Sequence, residues 1–120
     1  MGILIVDDSQ SLRLLLAQIF KEEGYQKLYF ASSAQETFAT LKLQEKKGNR
    51  IDLILLDIVM PEMNGIEVCQ KLKQEPNLKS IPVIMVTSKT DVSSLERAFS
   101  AGAIDYLTLH GASPTWIPHS

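Results

Sequence analysis

Gly2-Ile3-Leu4-Ile5-Val6-Asp7-Asp8-Ser9, residues 2–9, decides how this chain is read, and Leu53-Ile54-Leu55-Leu56-Asp57 repeats its logic fifty residues later. Each stretch is a short apolar run that stops at a carboxylate, the pattern of a strand buried along its length and polar only where it emerges. Ser9 then supplies a helix N-cap, so the first stretch spells strand, loop, helix. A single aspartate at such a place is an ordinary strand terminator. An adjacent pair with a matching third is a different matter, because three carboxylates brought together repel one another unless a divalent cation shares them.

Working outward, apolar residues at Leu12, Leu15, Leu16, Ile19 and Phe20 mark one helical face that closes at Gly24. Leu28 to Ala31 forms a shorter strand, and Ser32 or Ser33 caps a helix carrying Ala34, Phe38 and Leu41 before a polar Gln44–Asn49 stretch. Ile51 to Leu56 is apolar apart from Asp52 and belongs at the centre of a sheet. Met60-Pro61 through Asn64-Gly65 shape a loop, and Ile66, Val68, Cys69 and Leu72 mark a helix ending near Pro76. Ile81 to Val86 gives a fourth strand that opens into Thr87-Ser88-Lys89. Asp91 or Ser93 caps a helix with Val92, Leu95, Ala98 and Phe99 on its apolar face, Gly102 follows it, and Ala103 to Leu109 is a fifth strand. This alternation predicts an α/β fold, a doubly wound parallel sheet of five strands with helices on both faces. In such sheets ligands bind beyond the carboxyl ends of the strands, where the strand order reverses.

With 120 residues, 45% of them hydrophobic, the chain is long enough for one core and too short for two ordinary domains. The net charge is −2 and the cations are scattered, which argues against nucleic-acid binding by this segment. Cys69 is the single cysteine, so neither a disulfide framework nor a zinc site is expected, only a buried thiol. No apolar run is long enough for a membrane span and no leader precedes the first strand, so a cytoplasmic protein is expected. The chain also lacks a GxxxxGK[ST] or GxGxxG loop, which sets aside a nucleotide- or flavin-binding enzyme.

In order and spacing, Asp7-Asp8-Ser9, Asp57-Ile58-Val59-Met60-Pro61, Asn64-Gly65, Thr87-Ser88 and Ala101-Gly102-Ala103 leading to Asp105-Tyr106-Leu107 resemble the receiver domain of two-component response regulators. The resemblance implies the flavodoxin-like strand order 2-1-3-4-5, which would gather Asp7, Asp8 and Asp57 at the switch point between the first and third strands. It further implies that Asp57 is a phosphoacceptor, that Asp8 and Asp57 ligate Mg2+ directly, that Asp7 acts chiefly through a bound water, and that the Val59 carbonyl completes the set. Thr87 would offer its hydroxyl to a phosphoryl oxygen, and Tyr106 would be a switch aromatic. The implied partner is a histidine kinase or histidine phosphotransfer protein. The implied chemistry is self-phosphorylation with at most slow autodephosphorylation, not that of an enzyme acting on others.

The pattern departs from the family at its end. Residues 1–109 are assigned to the receiver and 110–120 to an atypical tail. Leu109-His110 stands where the family has a lysine and a proline, and a leucine cannot stabilise charge on a phosphoryl group. Lys89 is a weak candidate to replace that cation; His110 is a poorer one, because alternation turns it to the opposite face. The fifth helix is missing or atypical, since Gly111, Pro114 and Pro118 leave it no room. Three outcomes follow: Trp116 and Ile117 fold back over the bare strands; a homodimer forms through the uncovered sheet face or the fourth-helix/fifth-strand face; or the tail replaces the natural continuation after Leu107 or Thr108 through a frame change, truncation or cloning junction. The alternative function is a degenerate receiver that serves as a phosphorylation-independent interaction module.

Overall fold

A computed structural model of the protein describes residues 1–60, 64–87, 92–110 and 113–114, with side chains given for fewer of these near strand ends. Strands β1 (Gly2–Val6), β2 (Lys27–Ala31), β3 (Leu53–Asp57), β4 (Val83–Thr87) and β5 (Asp105–His110) alternate with helices α1 (Gln10–Glu22), α2 (Ala34–Lys46), α3 (Gly65–Gln74) and α4 (Val92–Ser100). The five strands are parallel and lie in the expected order, β2-β1-β3-β4-β5. A two-residue strand, β6 (Ser113–Pro114), adds antiparallel to β5.

Strand alternation sorts the apolar residues onto two faces. Ile3 and Ile5 of β1, Leu53 and Leu55 of β3, Ile84 and Val86 of β4 and Leu107 of β5 pack against Leu16, Ala17 and Phe20 of α1. Leu4, Val6, Ile54, Leu56, Val83 and Met85 face the other way, onto Leu41 of α2, Val68, Cys69 and Leu72 of α3 and Ala98 of α4. Three helices therefore cover one face and α1 alone, among the described residues, covers the other. Leu12, Leu15 and Ile19 of α1 stay half-buried and Leu14 is exposed, consistent with a face that carries no second helix among the described residues.

The helix ends have local causes. Ser9 Oγ accepts from the Leu12 N–H (3.4 Å) at the start of α1, and Gly24, at φ 96°, reverses the chain after it. Ser33 caps α2 through the Glu36 N–H (3.1 Å), while Glu36 reaches back to the Ser32 hydroxyl (2.6 Å) and N–H (3.2 Å).

Several boundaries differ from the sequence reading. Helix α2 runs through Lys46 with Lys47 as its C-cap, so the polar Gln44–Asn49 stretch begins inside the helix; Gln44 is buried, and its Oε1 accepts from Asn49 Nδ2 (2.8 Å). Strand β3 starts two residues later than Ile51 and takes in Asp57, and β5 starts at Asp105 and includes His110, which the sequence reading assigns to the tail. Asn64 and Gly65 are the N-cap and first residue of α3 rather than loop. Phe99, expected on the apolar face of α4, is 44% exposed and packs edge-on against Tyr106 with ring centroids 6.1 Å apart. Cys69 is buried as expected, its Sγ 3.4 Å from the Ala101 carbonyl oxygen. Pro61, Lys89, Asp91, Trp116 and Ile117 lie outside the described residues, and so do the expectations placed on them. Among the described residues no helix is long and apolar enough to cross a membrane.

Candidate functional site

Register brings the acidic residues together. Val6 of β1 lies opposite Leu56 of β3, so the next residues along these neighbouring strands are Asp7 and Asp57. Asp8 follows in the turn that leads to Ser9 and α1. One carboxylate oxygen from each of Asp7, Asp8 and Asp57 lies within 4.8 Å of the others. Sequence reasoning anticipated this cluster from the three strand-end aspartates.

The three differ in environment. Asp7 is 1% exposed, Asp57 half-buried and Asp8 exposed. The Ser9 N–H donates to Asp7 Oδ1 (2.8 Å), and the Val59 N–H donates to Asp57 Oδ1 (3.2 Å). Asp7 Oδ2 is buried and accepts no hydrogen bond from any described residue. Burial pushes the Asp57 carboxyl up to about 7, reinforced by the charges of Asp7 and Asp8 and opposed by the Val59 N–H. Asp7 is raised for the same leading reason, burial, with the Ser9 N–H pulling against it. At such separations two ionised carboxylates repel by about 3 kcal/mol at an effective dielectric of about 20.

An orphaned buried carboxylate oxygen beside two more carboxylates is a poor arrangement for a protein by itself and a good one for a hard divalent cation. The donor set is all oxygen, which favours magnesium, manganese or calcium over zinc or copper. Asp7, Asp8 and Asp57 fit such an ion. Val59 follows two residues after Asp57 and is 53% exposed.

This electrostatic state has a measurable consequence. A carboxyl whose pKa is raised on folding holds its proton more tightly in the folded than in the unfolded chain, so its contribution to stability is present at low pH and lost as pH rises. With Asp57 near 7 against an ordinary 3.8, the metal-free protein is expected to lose stability between about pH 4 and about pH 7. Glu36, lowered by the Ser32 hydroxyl and N–H, acts oppositely, its contribution being lost only as pH falls below about 4.5. Urea midpoints in chelator at about pH 5.5 and about pH 8 should fall with rising pH, and magnesium should remove most of the difference. A midpoint that rises over this range would contradict the burial of Asp57.

The remaining expected residues are placed as follows. Thr87 is the last residue of β4, one beyond Val86, which pairs with Asp57. Tyr106 of β5 pairs with Met85 of β4, is 37% exposed and turns its ring to Phe99 rather than into the core. Leu109 is in β5 opposite Pro114 of β6. Sequence reasoning missed one contributor, Arg13, and gave Asn64 and Gly65 only a place in a loop. Arg13 of α1 donates from Nη1 to the Asp7 main-chain carbonyl (2.6 Å). Asn64 caps α3 by accepting from the Glu67 N–H (2.9 Å). Gly65 lies so close to the Asp57 carbonyl that a Cβ there would meet its oxygen at 2.0 Å. Arg13 left a signal as a cation set inside an otherwise apolar helical stripe, and Asn64-Gly65 left one in the quoted motif, though not of these roles.

The family model of the response regulator receiver domain matches residues 3–110. The DNA-binding response regulator MtrA of Mycobacterium tuberculosis (strain ATCC 25618 / H37Rv) is 35% identical over 105 residues, which are 88% of this chain and 42% of that protein. The chain thus spans less than half the length of this curated relative. Among solved structures, the Mn2+-bound response regulator Rcp1 is 30% identical with a TM-score of 0.77, covering 89% of this chain and 79% of the other. The phosphorylated cyanobacterial phytochrome response regulator RcpA is 25% identical with a TM-score of 0.76 over the same shares, 89% and 79%.

Proposed function

The chain belongs to the response regulator receiver domain family of two-component systems, and on that premise we propose that it accepts a phosphoryl group on Asp57 from a phosphohistidine of a kinase or phosphotransfer protein. The observation that carries this reading is the convergence of Asp7, Asp8 and Asp57 with an unpartnered buried oxygen among them. The proposed receiver unit is residues 1–109, with 110–120 as its atypical tail, working in the cytoplasm and neither binding nucleic acid by this segment nor entering a membrane.

In the proposed step an Asp57 carboxylate oxygen attacks phosphorus, the P–N bond to the donor imidazole breaks, and the electron pair leaves with the imidazole. Asp8 and Asp57 would hold Mg2+ directly, Asp7 through water, and the Val59 carbonyl would complete the protein's share. When bound, the ion supplies neutralisation of carboxylate and phosphoryl charge. Manganese in Rcp1 and phosphorylation of RcpA support both halves of this reading by similarity. Thr87, at the end of β4, is proposed to donate its hydroxyl to a phosphoryl oxygen, and Tyr106 to report the change by moving against Phe99. Lys89 is retained as a weak candidate cation. The domain acts on itself rather than turning over a substrate.

Incubation with a small phosphodonor and magnesium should give acid-labile phosphate, and none with chelator; its absence in magnesium would sink the proposal. A second reading is favoured by Leu109, which stands where receivers carry a lysine: a degenerate receiver that binds its partner, or a second copy through the α4/β5 or bare sheet face, whatever the state of Asp57. Leu109→Lys should speed phosphate uptake by about tenfold or more, as restoring one charge-stabilising group does elsewhere. No gain would favour the second reading.

A further inference from the structure

The β1 ladders to β2 and β3 both end at Val6, so Asp7 begins where sheet hydrogen bonding stops. Each of its polar groups is nevertheless accounted for except one. The Asp7 N–H donates to the Ala31 carbonyl (3.0 Å), Oδ1 accepts from the Ser9 N–H (2.8 Å), and the main-chain carbonyl accepts from Arg13 Nη1 (2.6 Å). Only Oδ2 is left, and it belongs to the acidic cluster. The Asp7 carbonyl lies in the peptide plane that joins Asp7 to Asp8, so whatever fixes that carbonyl also sets the direction in which the Asp8 backbone leaves. Asp8 is exposed.

We infer that Arg13 is a positioning residue for the acidic site, holding the Asp7–Asp8 peptide so that both carboxylates meet Asp57 around a divalent cation. The inference rests on the metal-dependent reading proposed above. Arg13 suits this task because its base is rigid: its own N–H donates to the Ser9 carbonyl (3.0 Å), and Leu16, Ala17 and Phe20 fix α1 to the sheet. Its side chain is half-buried, and its charge is felt by both Asp7 and Glu36. Arginine is pre-organised for such a bond to a carbonyl and does not lose its proton.

Electrostatics and positioning predict opposite signs here, which makes the inference testable. A guanidinium beside a cation site weakens cation binding by repulsion, so removing it would tighten binding if charge alone mattered. Loss of an outer partner that orients ligands weakens binding instead. Magnesium affinity of the full chain, measured by calorimetry for wild type, Arg13→Met and Arg13→Lys, should fall by about tenfold in the Met variant and recover most of that in the Lys variant, which can still donate to the carbonyl. Thermal unfolding in chelator should be alike for the two variants, separating positioning from general destabilisation. Arg13→Met binding as tightly as wild type or tighter overturns the inference, and so does a loss that lysine does not recover. A wild-type protein that binds no magnesium overturns instead the metal reading beneath it, so the two failures are distinguishable.

Discussion

Asp57→Asn is expected to abolish acid-labile phosphate while making the metal-free protein more stable. The first part follows from chemistry: an amide oxygen is a poor nucleophile, and Asp7 and Asp8 come from a different strand end. The second follows from Asp57 sitting half-buried within 4.8 Å of two other carboxylate oxygens, which raises its carboxyl to about 7. Above that pH the ionised side chain penalises the fold, and asparagine carries no charge to penalise. The gain in chelator at about pH 8 should be on the order of 1–3 kcal/mol, less than the full shift because water and Asp7 share the penalty. It should shrink as pH falls and approach zero only near about pH 4, where Asp57 is protonated in the folded and the unfolded chain alike. Magnesium should stabilise wild type and leave the Asn variant nearly unaffected. Residual acid-labile phosphate on the variant would remove Asp57 as the acceptor. A urea midpoint below that of wild type at high pH would remove the repulsion account.

Gly65→Ala should be strongly destabilising. The first turn of α3 crosses the end of β3 so closely that an added Cβ would stand 2.0 Å from the Asp57 carbonyl oxygen and 2.8 Å from its carbon, both backbone atoms that cannot rotate away. The same approach lets the Gly65 N–H donate to the Ile58 carbonyl (2.7 Å), so relieving the clash breaks this bond or moves β3. Overpacking of this kind costs about 3 kcal/mol, the upper end of its usual range. That is on the order of 10 °C in melting temperature for a domain of this size. Because the displaced backbone is that of Asp57, magnesium affinity should fall as well. Circular-dichroism melts in chelator and calorimetry with magnesium would check both. An alanine variant that melts within about 2 °C of wild type would mean that the helix can slide without disturbing the site.

Much of the site could be seen in the sequence because its chemistry is concentrated at strand ends. An apolar run covered on both faces must stop somewhere, and a carboxylate at the stop is both a boundary and a ligand. The periodicity of α1 and the Ser9 and Ser33 caps were legible for a similar reason, since each is a local interaction within three or four residues. What failed were inferences that needed a neighbour from elsewhere. Gln44 opens a polar stretch, yet it is buried, and Asn49 reaches back to satisfy it. Phe99 has the spacing of a core residue, and helical spacing names a direction without saying what stands there; Tyr106 of β5 does. The close approach of Gly65 to Asp57 has no local signature, because the atoms that exclude a side chain belong to another element.

The amino-acid order by itself determined the alternation of strands and helices and the three aspartates at two strand ends, because these depend on composition and short-range periodicity alone. Only the tertiary structure decided that Asp7 is buried and Asp8 exposed, that one oxygen of Asp7 has no partner among the described residues, and that Arg13 of α1 and Gly65 of α3 meet the main-chain carbonyls of Asp7 and Asp57. Desolvation, repulsion and steric exclusion are properties of atoms brought together from distant positions, and no single stretch of the chain contains both members of such a pair.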